Sequence, residues 1–143
     1  MTQEEYNYLM LQEKVFEDKI SIIQISPAPI RWTKEIRCKT TANKYLLDFY
    51  RGSFELGKFT ANKRYRQTII MVRYDNGGRH TNPDGYTFEG PHVHLYKEGY
   101  NDKFAYPVSK INILDSDTME IRFKKILHFC NIVDCPDLEV PMF

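Results

Sequence analysis

The feature that most constrains the fold is a series of short segments in which apolar and polar residues alternate. Side chains of a β-strand point alternately to its two faces, so this pattern predicts half-buried strands. One segment places Tyr45, Leu47 and Phe49 on a single face, and segment 66–75 contains the β-branched, apolar run expected of a central strand. Further strands are predicted over 20–26, 30–40, 54–59, 92–96 and 103–108, with the last two paired as a hairpin.

Helices are predicted on either side of these strands. Thr2 followed by Glu5 is a capping-box pattern and predicts a helix over 3–18, and a second helix is predicted from Asp117 to about Asn131. The order helix, strands, helix predicts one α+β domain that covers the whole chain of 143 residues. We expect a curved antiparallel sheet of about five to seven strands, with an N-terminal and a C-terminal helix packed on one face.

Composition and cysteine usage predict a cytoplasmic protein without a membrane segment. No apolar run approaches the roughly 20 residues that cross a bilayer. The acidic N-terminus lacks the apolar stretch of a signal peptide. The three cysteines, Cys38, Cys130 and Cys135, are few and odd in number, which fits a reducing compartment better than a disulfide scaffold. The ten Tyr and nine Phe would permit a homodimer.

Charge is unevenly distributed, although the formal net charge is only +1. Residues 31–80 carry twelve Lys or Arg against four acids, a balance of +8, whereas the segments on both sides are acidic. A basic middle is typical of a surface that binds a polyanion. The alternative is an ordinary solvated face of the sheet.

The best candidate site lies in the segment that holds three of the four histidines. Because strand side chains alternate, His92, His94 and Tyr96 would share one face, on the open concave side of the sheet. The intervening Val93 and Leu95 would face the helices. Imidazole titrates near neutral pH, so we predict His92, His94 and Tyr96 as catalytic acid–base residues that use no metal and no cofactor.

Two alternatives remain for these histidines. They could have a purely structural role, or they could share a metal ion, since two histidines two apart on a strand can bind one ion. A third ligand would then come from His80, Asp84 or Glu89. His80 and Asp84 lie on a predicted loop over about 76–90, which contains the turn sequence Asn-Pro-Asp-Gly and is long enough to act as a lid.

Basic and aromatic residues interleave just before the central strand. Such a mixture suits phosphate contact and base stacking. A metal-independent ribonuclease needs an acid–base residue together with cations that stabilise the phosphate charge of the transition state. We therefore predict four nucleic-acid-binding residues: Arg64, Arg66, Arg73 and Lys97.

Several segments carry a family resemblance. The stretches 81–85, 91–100 and 103–107, together with both ends of the chain, resemble a family of small uncharacterised proteins from Gram-positive bacteria and their phages and mobile elements. The Pro-His-x-His segment also resembles small proteins that accompany toxin–antitoxin modules. The histidine-triad hydrolases do not match, because Tyr96 stands where their third histidine would be. The resemblance implies a mobile-element setting and supplies no activity.

These observations lead to one preferred function and two alternatives. The preferred function is a cytoplasmic, mobile-element-associated protein that acts on nucleic acid, specifically a metal-independent RNA-cleaving toxin. The first alternative is a non-enzymatic inhibitor that binds a host defence protein, in the manner of an anti-CRISPR protein. The second is a nucleotide-binding protein that sequesters its ligand without turnover.

Overall fold

A sheet of seven antiparallel strands forms the centre of the protein in a computed structural model, which describes residues 1–53 and 58–139. In chain order the elements are α1 (Gln3–Leu11), β1 (Lys14–Phe16), β2 (Ile22–Gln24), β3 (Ile30–Cys38), β4 (Lys44–Arg51), β5 (Thr60–Tyr65), β6 (Ile69–Asp75), β7 (Arg79–Thr81), β8 (Thr87–Glu89), β9 (His92–Leu95), β10 (Ala105–Pro107), a 3-10 helix (Val108–Ile111), α2 (Met119–Phe129) and β11 (Asp137–Glu139). The main sheet has the order β1-β3-β4-β5-β6-β9-β10, and β2–β11 and β7–β8 form two small pairs.

Both helices cover the same face of the main sheet. Leu47 of β4 lies opposite Lys63 of β5, and Phe49 shares the face of Leu47 two residues further along. Helix α2 packs Phe123 edge-on against Phe49, with ring centroids 5.2 Å apart. Helix α1 reaches this face through Met10, whose sulfur lies 3.4 Å from Lys63 Nζ. The predicted α+β class, with an N-terminal and a C-terminal helix beside an antiparallel sheet, is therefore confirmed.

Helix α1 is shorter than the predicted helix over 3–18. Thr2 caps it as expected, since its hydroxyl accepts a hydrogen bond from the Glu5 backbone N–H at 3.0 Å. The chain leaves the helix at Gln12, whose backbone is extended. Lys14–Phe16 then pairs with the outer edge of β3. Backbone pairing with that edge outweighs the helical periodicity of this segment.

Two other predicted elements differ in extent or in type. Residues 54–57 of the predicted strand 54–59 lie outside the described residues, and strand β5 begins at Thr60. The predicted long loop over 76–90 instead contains the hairpin β7–β8. We call this pair of strands and its turn the lid hairpin (residues 79–89).

No helix among the described residues is both long and apolar enough to span a membrane.

Candidate functional site

The face of the main sheet opposite the helices is polar, and we call it the outer face. Residues paired directly across neighbouring strands point to the same side. Two such rows cross β3, β4, β5, β6 and β9 side by side. The first row is Thr33, Asp48, Asn62, Arg73 and His94, and the second is Arg31, Tyr50, Thr60, Asp75 and His92.

Three potential metal ligands meet where both rows reach β6 and β9. Asp75 Oδ2 lies 3.6 Å from His92 Nε2 and 3.4 Å from His94 Nε2. One ligand atom from each of the three residues falls within 4.8 Å of the others, and no other such group occurs in residues 1–53 and 58–139. We call Asp75, His92 and His94 the Asp–His–His triad.

Backbone carbonyl groups fix the orientation of both imidazoles. His92 Nδ1 lies 2.8 Å from the carbonyl oxygen of Gly90, and His94 Nδ1 lies 2.8 Å from that of Asp102. A carbonyl oxygen only accepts hydrogen bonds, so each Nδ1 carries a proton, and in the neutral form each ring presents the lone pair of Nε2. Both lone pairs are thus on the nitrogens that lie nearest Asp75.

The guanidinium of Arg73 lies against the triad. Its Nη2 is 3.0 Å from His94 Nε2, and its Nε is 3.2 Å from Asp75 Oδ2. Its Nη1 makes a third contact, 2.8 Å from Asp102 Oδ2. Arg73 therefore donates to the lone pair of His94 and holds two carboxylates at the same time.

Electrostatics favour the metal-binding ionisation states of two triad members, His92 and Asp75. Burial lowers the pKa of the His92 imidazole, which favours its neutral form. Burial alone would raise the pKa of Asp75, but the positive charge of Arg73 beside it helps to hold that pKa below its usual range. A neutral imidazole and an ionised carboxylate are the forms that coordinate metals.

The lid hairpin covers the two histidines. The His80 ring packs edge-on against the His94 ring, with centroids 4.4 Å apart. The Phe88 and His92 rings stack with centroids 6.2 Å apart. His80 Nε2 is also 2.8 Å from the carbonyl oxygen of Lys103. His92 and His94 are consequently 3% and 0% exposed.

The triad is open to solvent on its other side. The side chains of Asp75, Arg73 and Asp102 are 24%, 30% and 25% exposed. A molecule that approaches the site from outside therefore meets two carboxylates and a guanidinium before it meets an imidazole.

The structure separates Tyr96 from the histidines, so the prediction that all three share a face is wrong. Strand β9 ends at Leu95, and the alternation ends with it. The Tyr96 ring packs against Tyr6 of α1 with centroids 5.5 Å apart, and its hydroxyl donates to the Met1 carbonyl. Tyr96 is thus part of the core on the helix side, whereas the predicted core positions Val93 and Leu95 are buried there as expected.

The predicted nucleic-acid-binding residues do not converge on one surface. Arg64 is held by Asp48 through contacts of 2.6 and 2.8 Å on the outer face. Arg66 occupies the β5–β6 turn and stacks on Tyr65. Lys97 lies beyond β9, with its Nζ 4.3 Å from the centre of the Phe104 ring. Only Arg73 contacts the histidines.

The third potential ligand differs from those that the sequence suggested. Asp84 Oδ1 accepts the Tyr86 backbone N–H within the lid turn, and Glu89 lies opposite Arg79 in the lid hairpin. His80 packs on the triad without belonging to it. Asp75 was missed because its partner His92 is 17 positions away in the chain. The information that identifies Asp75 lies in strand pairing, because β6 and β9 place Asp75 opposite His92 and Arg73 opposite His94.

Comparison with known proteins identifies the family. The chain belongs to a family of unknown function, DUF6978, whose model matches residues 1–132. The predicted membership of an uncharacterised family is thus confirmed, while the Gram-positive and mobile-element setting stays a prediction. No curated protein and no solved structure matches the chain.

Proposed function

We propose that this protein is a metal-dependent hydrolase whose ion is bound by Asp75, His92 and His94. The observation that carries the proposal is the convergence of two oriented Nε2 lone pairs on one carboxylate oxygen. Metal-binding histidines typically donate their other ring N–H to a carbonyl or carboxylate, as His92 and His94 do here.

Two of the three spacings between the ligand atoms fit a small ion. With metal–ligand distances of about 2.0–2.1 Å, a tetrahedral site separates its ligands by about 3.3 Å. The two separations from Asp75 Oδ2, 3.4 and 3.6 Å, are close to that value. Two imidazoles and one carboxylate favour zinc or another late first-row metal over magnesium or calcium.

Arg73 must move for the ion to bind. Its Nη2 uses the His94 lone pair that the metal needs. Asp102 provides a second anchor at 2.8 Å, so the guanidinium is retained beside the site when it leaves His94. In that position Arg73 would hold an anionic substrate next to the triad. This supports an anionic ester, such as a phosphate ester, as the substrate class.

Asp75, His92 and His94 would hold the ion, which would lower the pKa of a bound water and so supply hydroxide as the nucleophile for ester hydrolysis near neutral pH. The protein's own contribution would be threefold. The carbonyl groups of Gly90 and Asp102 orient the imidazoles, the lid hairpin excludes water from the histidine side, and Arg73 stabilises negative charge on the substrate. Access is through the exposed side of Asp75.

Metal analysis tests the proposal directly. Purified protein dialysed against zinc is expected to retain one equivalent by mass spectrometry, and Asp75→Asn and His94→Gln are expected to abolish retention. His128→Gln is the matched control, because His128 is exposed on α2 and belongs to the other side of the sheet. Undiminished zinc retention in both triad variants would refute the site.

The reaction class needs a separate assay. Hydrolysis of bis(p-nitrophenyl) phosphate by the zinc-loaded protein is expected to stop with a chelator and to return when zinc is restored. Hydrolysis that survives complete removal of metal would contradict a metal-dependent mechanism.

Metal-independent RNA cleavage remains a second candidate. The contact between Arg73 and His94 supports it, since an imidazole beside a guanidinium can move a proton and stabilise phosphate charge. The burial of both histidines requires the lid hairpin to open first. Induced expression that arrests growth and cuts cellular RNA, with both effects lost in the His92→Ala/His94→Ala variant and cleavage in vitro unaffected by chelator, would favour this candidate over the hydrolase.

A further inference from the structure

The outer face continues from the triad as a groove across three more strands. A cavity of about 500 Å³ is lined by Asp75, Thr60 and Tyr50, among others. A second cavity of about 260 Å³ shares Thr60 and Tyr50 and extends to Arg31 and Asn62. Tyr50, Thr60 and Asp75 are direct cross-strand neighbours, so Tyr50 lies two strand spacings, or about 10 Å, from Asp75. We call these two cavities the outer groove.

The far end of the outer groove carries an aromatic ring backed by a cation. The Arg31 guanidinium lies 4.6 Å from the centre of the Tyr50 ring. Tyr50 is 42% exposed, although it is a large side chain on a strand of a packed sheet. An exposed Tyr ring and an adjacent guanidinium plane are the surfaces on which nucleobases stack.

A buried acceptor lies in the middle of the outer groove. Among the described residues, Asn62 Oδ1 has no hydrogen-bond partner and no accessible surface to speak of. Its cross-strand neighbours, Asp48 and Arg73, are both engaged in ion pairs of their own. An unsatisfied acceptor of this kind is costly, and rotation of the half-buried Asn62 side chain would present it to a ligand donor such as a sugar hydroxyl.

We infer that the outer groove binds a nucleotide unit of single-stranded nucleic acid, with phosphate beside Arg73 and the triad and the base on Tyr50. The inference rests on the proposed function for the position of the phosphate. A cation bound at the triad releases Arg73 from His94, so the phosphate end becomes more positive on metal binding. The sugar then lies near Asn62 and Thr60.

Calorimetry measures how much the phosphate, the sugar and the base of such a ligand each contribute to binding. Protein dialysed with one equivalent of zinc is titrated with inorganic phosphate, ribose 5-phosphate and adenosine monophosphate. The adenine compound is expected to bind about tenfold or more tightly than ribose 5-phosphate, because stacking on one aromatic ring contributes at about that level. Tyr50→Ala is expected to remove this preference, whereas Tyr50→Phe is the matched control that retains it.

The outcomes distinguish this inference from the proposed function. Equal affinities for ribose 5-phosphate and adenosine monophosphate would overturn the nucleotide inference, even if zinc binds stoichiometrically. A preference for adenosine monophosphate that Tyr50→Ala leaves intact would overturn it as well. Failure to retain zinc, with the Tyr50-dependent preference present in metal-free protein, would overturn the metal site and leave the nucleotide groove supported.

Discussion

Two lysine side chains are buried on the helix side of the sheet, and they differ in their partners. Lys14 Nζ donates to three backbone carbonyl oxygens at 2.8–3.3 Å. Lys63 Nζ instead faces the sulfur of Met10 at 3.4 Å and the ring of Tyr45 at 4.7 Å. Burial lowers the pKa of both amines, that of Lys14 to about 7. Lys63 Nζ lacks, among these contacts, the oxygen acceptors that an ammonium group needs, so its burial favours the neutral amine.

Lys63→Met is expected to stabilise the fold by about 1–3 kcal/mol at pH 7, since it replaces a poorly paired buried amine with an apolar chain of similar length. In the unfolded chain Lys63 keeps its proton up to about pH 10.4, whereas the folded state releases it at lower pH. The unfolded state therefore binds more protons in that window, and the wild-type stability rises with pH there. Urea unfolding at pH 7 and pH 10 measures the effect. A gap between variant and wild type that does not narrow at pH 10 would contradict a neutral Lys63.

Arg73 and a metal ion compete for His94 Nε2 and Asp75 Oδ2, so loss of the guanidinium is expected to strengthen metal binding. Arg73→Gln is expected to raise zinc affinity about tenfold, because it removes a positive charge and frees the His94 lone pair. The same change is expected to weaken binding of adenosine monophosphate. Competition with a chromophoric chelator measures zinc affinity.

Arg64→Gln is the control for Arg73→Gln, because Arg64 lies on the same outer face but is paired with Asp48. It is expected to leave zinc affinity unchanged. Zinc affinity that falls in Arg73→Gln would show that Arg73 supports the metal site instead of competing with it.

Among the elements, the lid hairpin depends on one asparagine. Asn82 donates from its amide nitrogen to the carbonyl oxygen of Ala105 at 2.9 Å and accepts the Ala105 N–H at 2.8 Å. Its side chain thus supplies both hydrogen bonds that a neighbouring strand would make with β10. Together with the contact of His80 to Lys103, this pair holds the lid hairpin over the triad.

Asn82→Ala is expected to destabilise the protein by about 1–3 kcal/mol, because it leaves the buried N–H and C=O of Ala105 without partners. Hydrogen exchange is expected to rise in the lid hairpin and β10 while β3–β5 stay protected. Asp84→Ala is the matched control in the same turn, since it removes only an exposed bond to the Tyr86 N–H. Equal protection of the lid hairpin in both variants would argue against Asn82 as its anchor.

At the scale of the whole molecule, α2 joins the sheet through one aromatic cluster. Phe123 is fully buried and packs edge-on against Phe49, Phe59 and Trp32, with centroids 5.2–6.1 Å apart. Arg122 adds a polar tie, since its Nη1 donates to the Tyr74 hydroxyl at 3.0 Å. Tyr74 lies between Arg73 and Asp75, so the packing of α2 also holds the strand that supplies one triad ligand.

Phe123→Ala is expected to lower the free energy of unfolding by about 3–5 kcal/mol, the usual effect of a large cavity in an aromatic core. Urea unfolding followed by Trp32 fluorescence is a direct measurement, because the single tryptophan borders the cavity. Ile121→Ala, exposed on the same helix, is expected to change stability by less than about 0.5 kcal/mol. Similar losses in the two variants would mean that α2 is not anchored by this cluster.

Local sequence patterns were sufficient for the class of fold and for part of the candidate site. The alternation around Leu47 and Phe49 predicted the buried face, and the Thr2 cap predicted the start of α1, because both depend on residues near each other in the chain. The pairing of His92 and His94 on one strand face was likewise predictable.

Long-range pairing decided the rest. The register of β6 against β9 places Asp75 opposite His92, and no local pattern contains that information. The end of β9 at Leu95 moves Tyr96 to the helix side, and the edge of β3 turns residues 14–16 from helix to strand. Periodicity determines which faces of a segment are apolar, whereas strand register, set by packing across the whole sheet, determines which polar side chains meet.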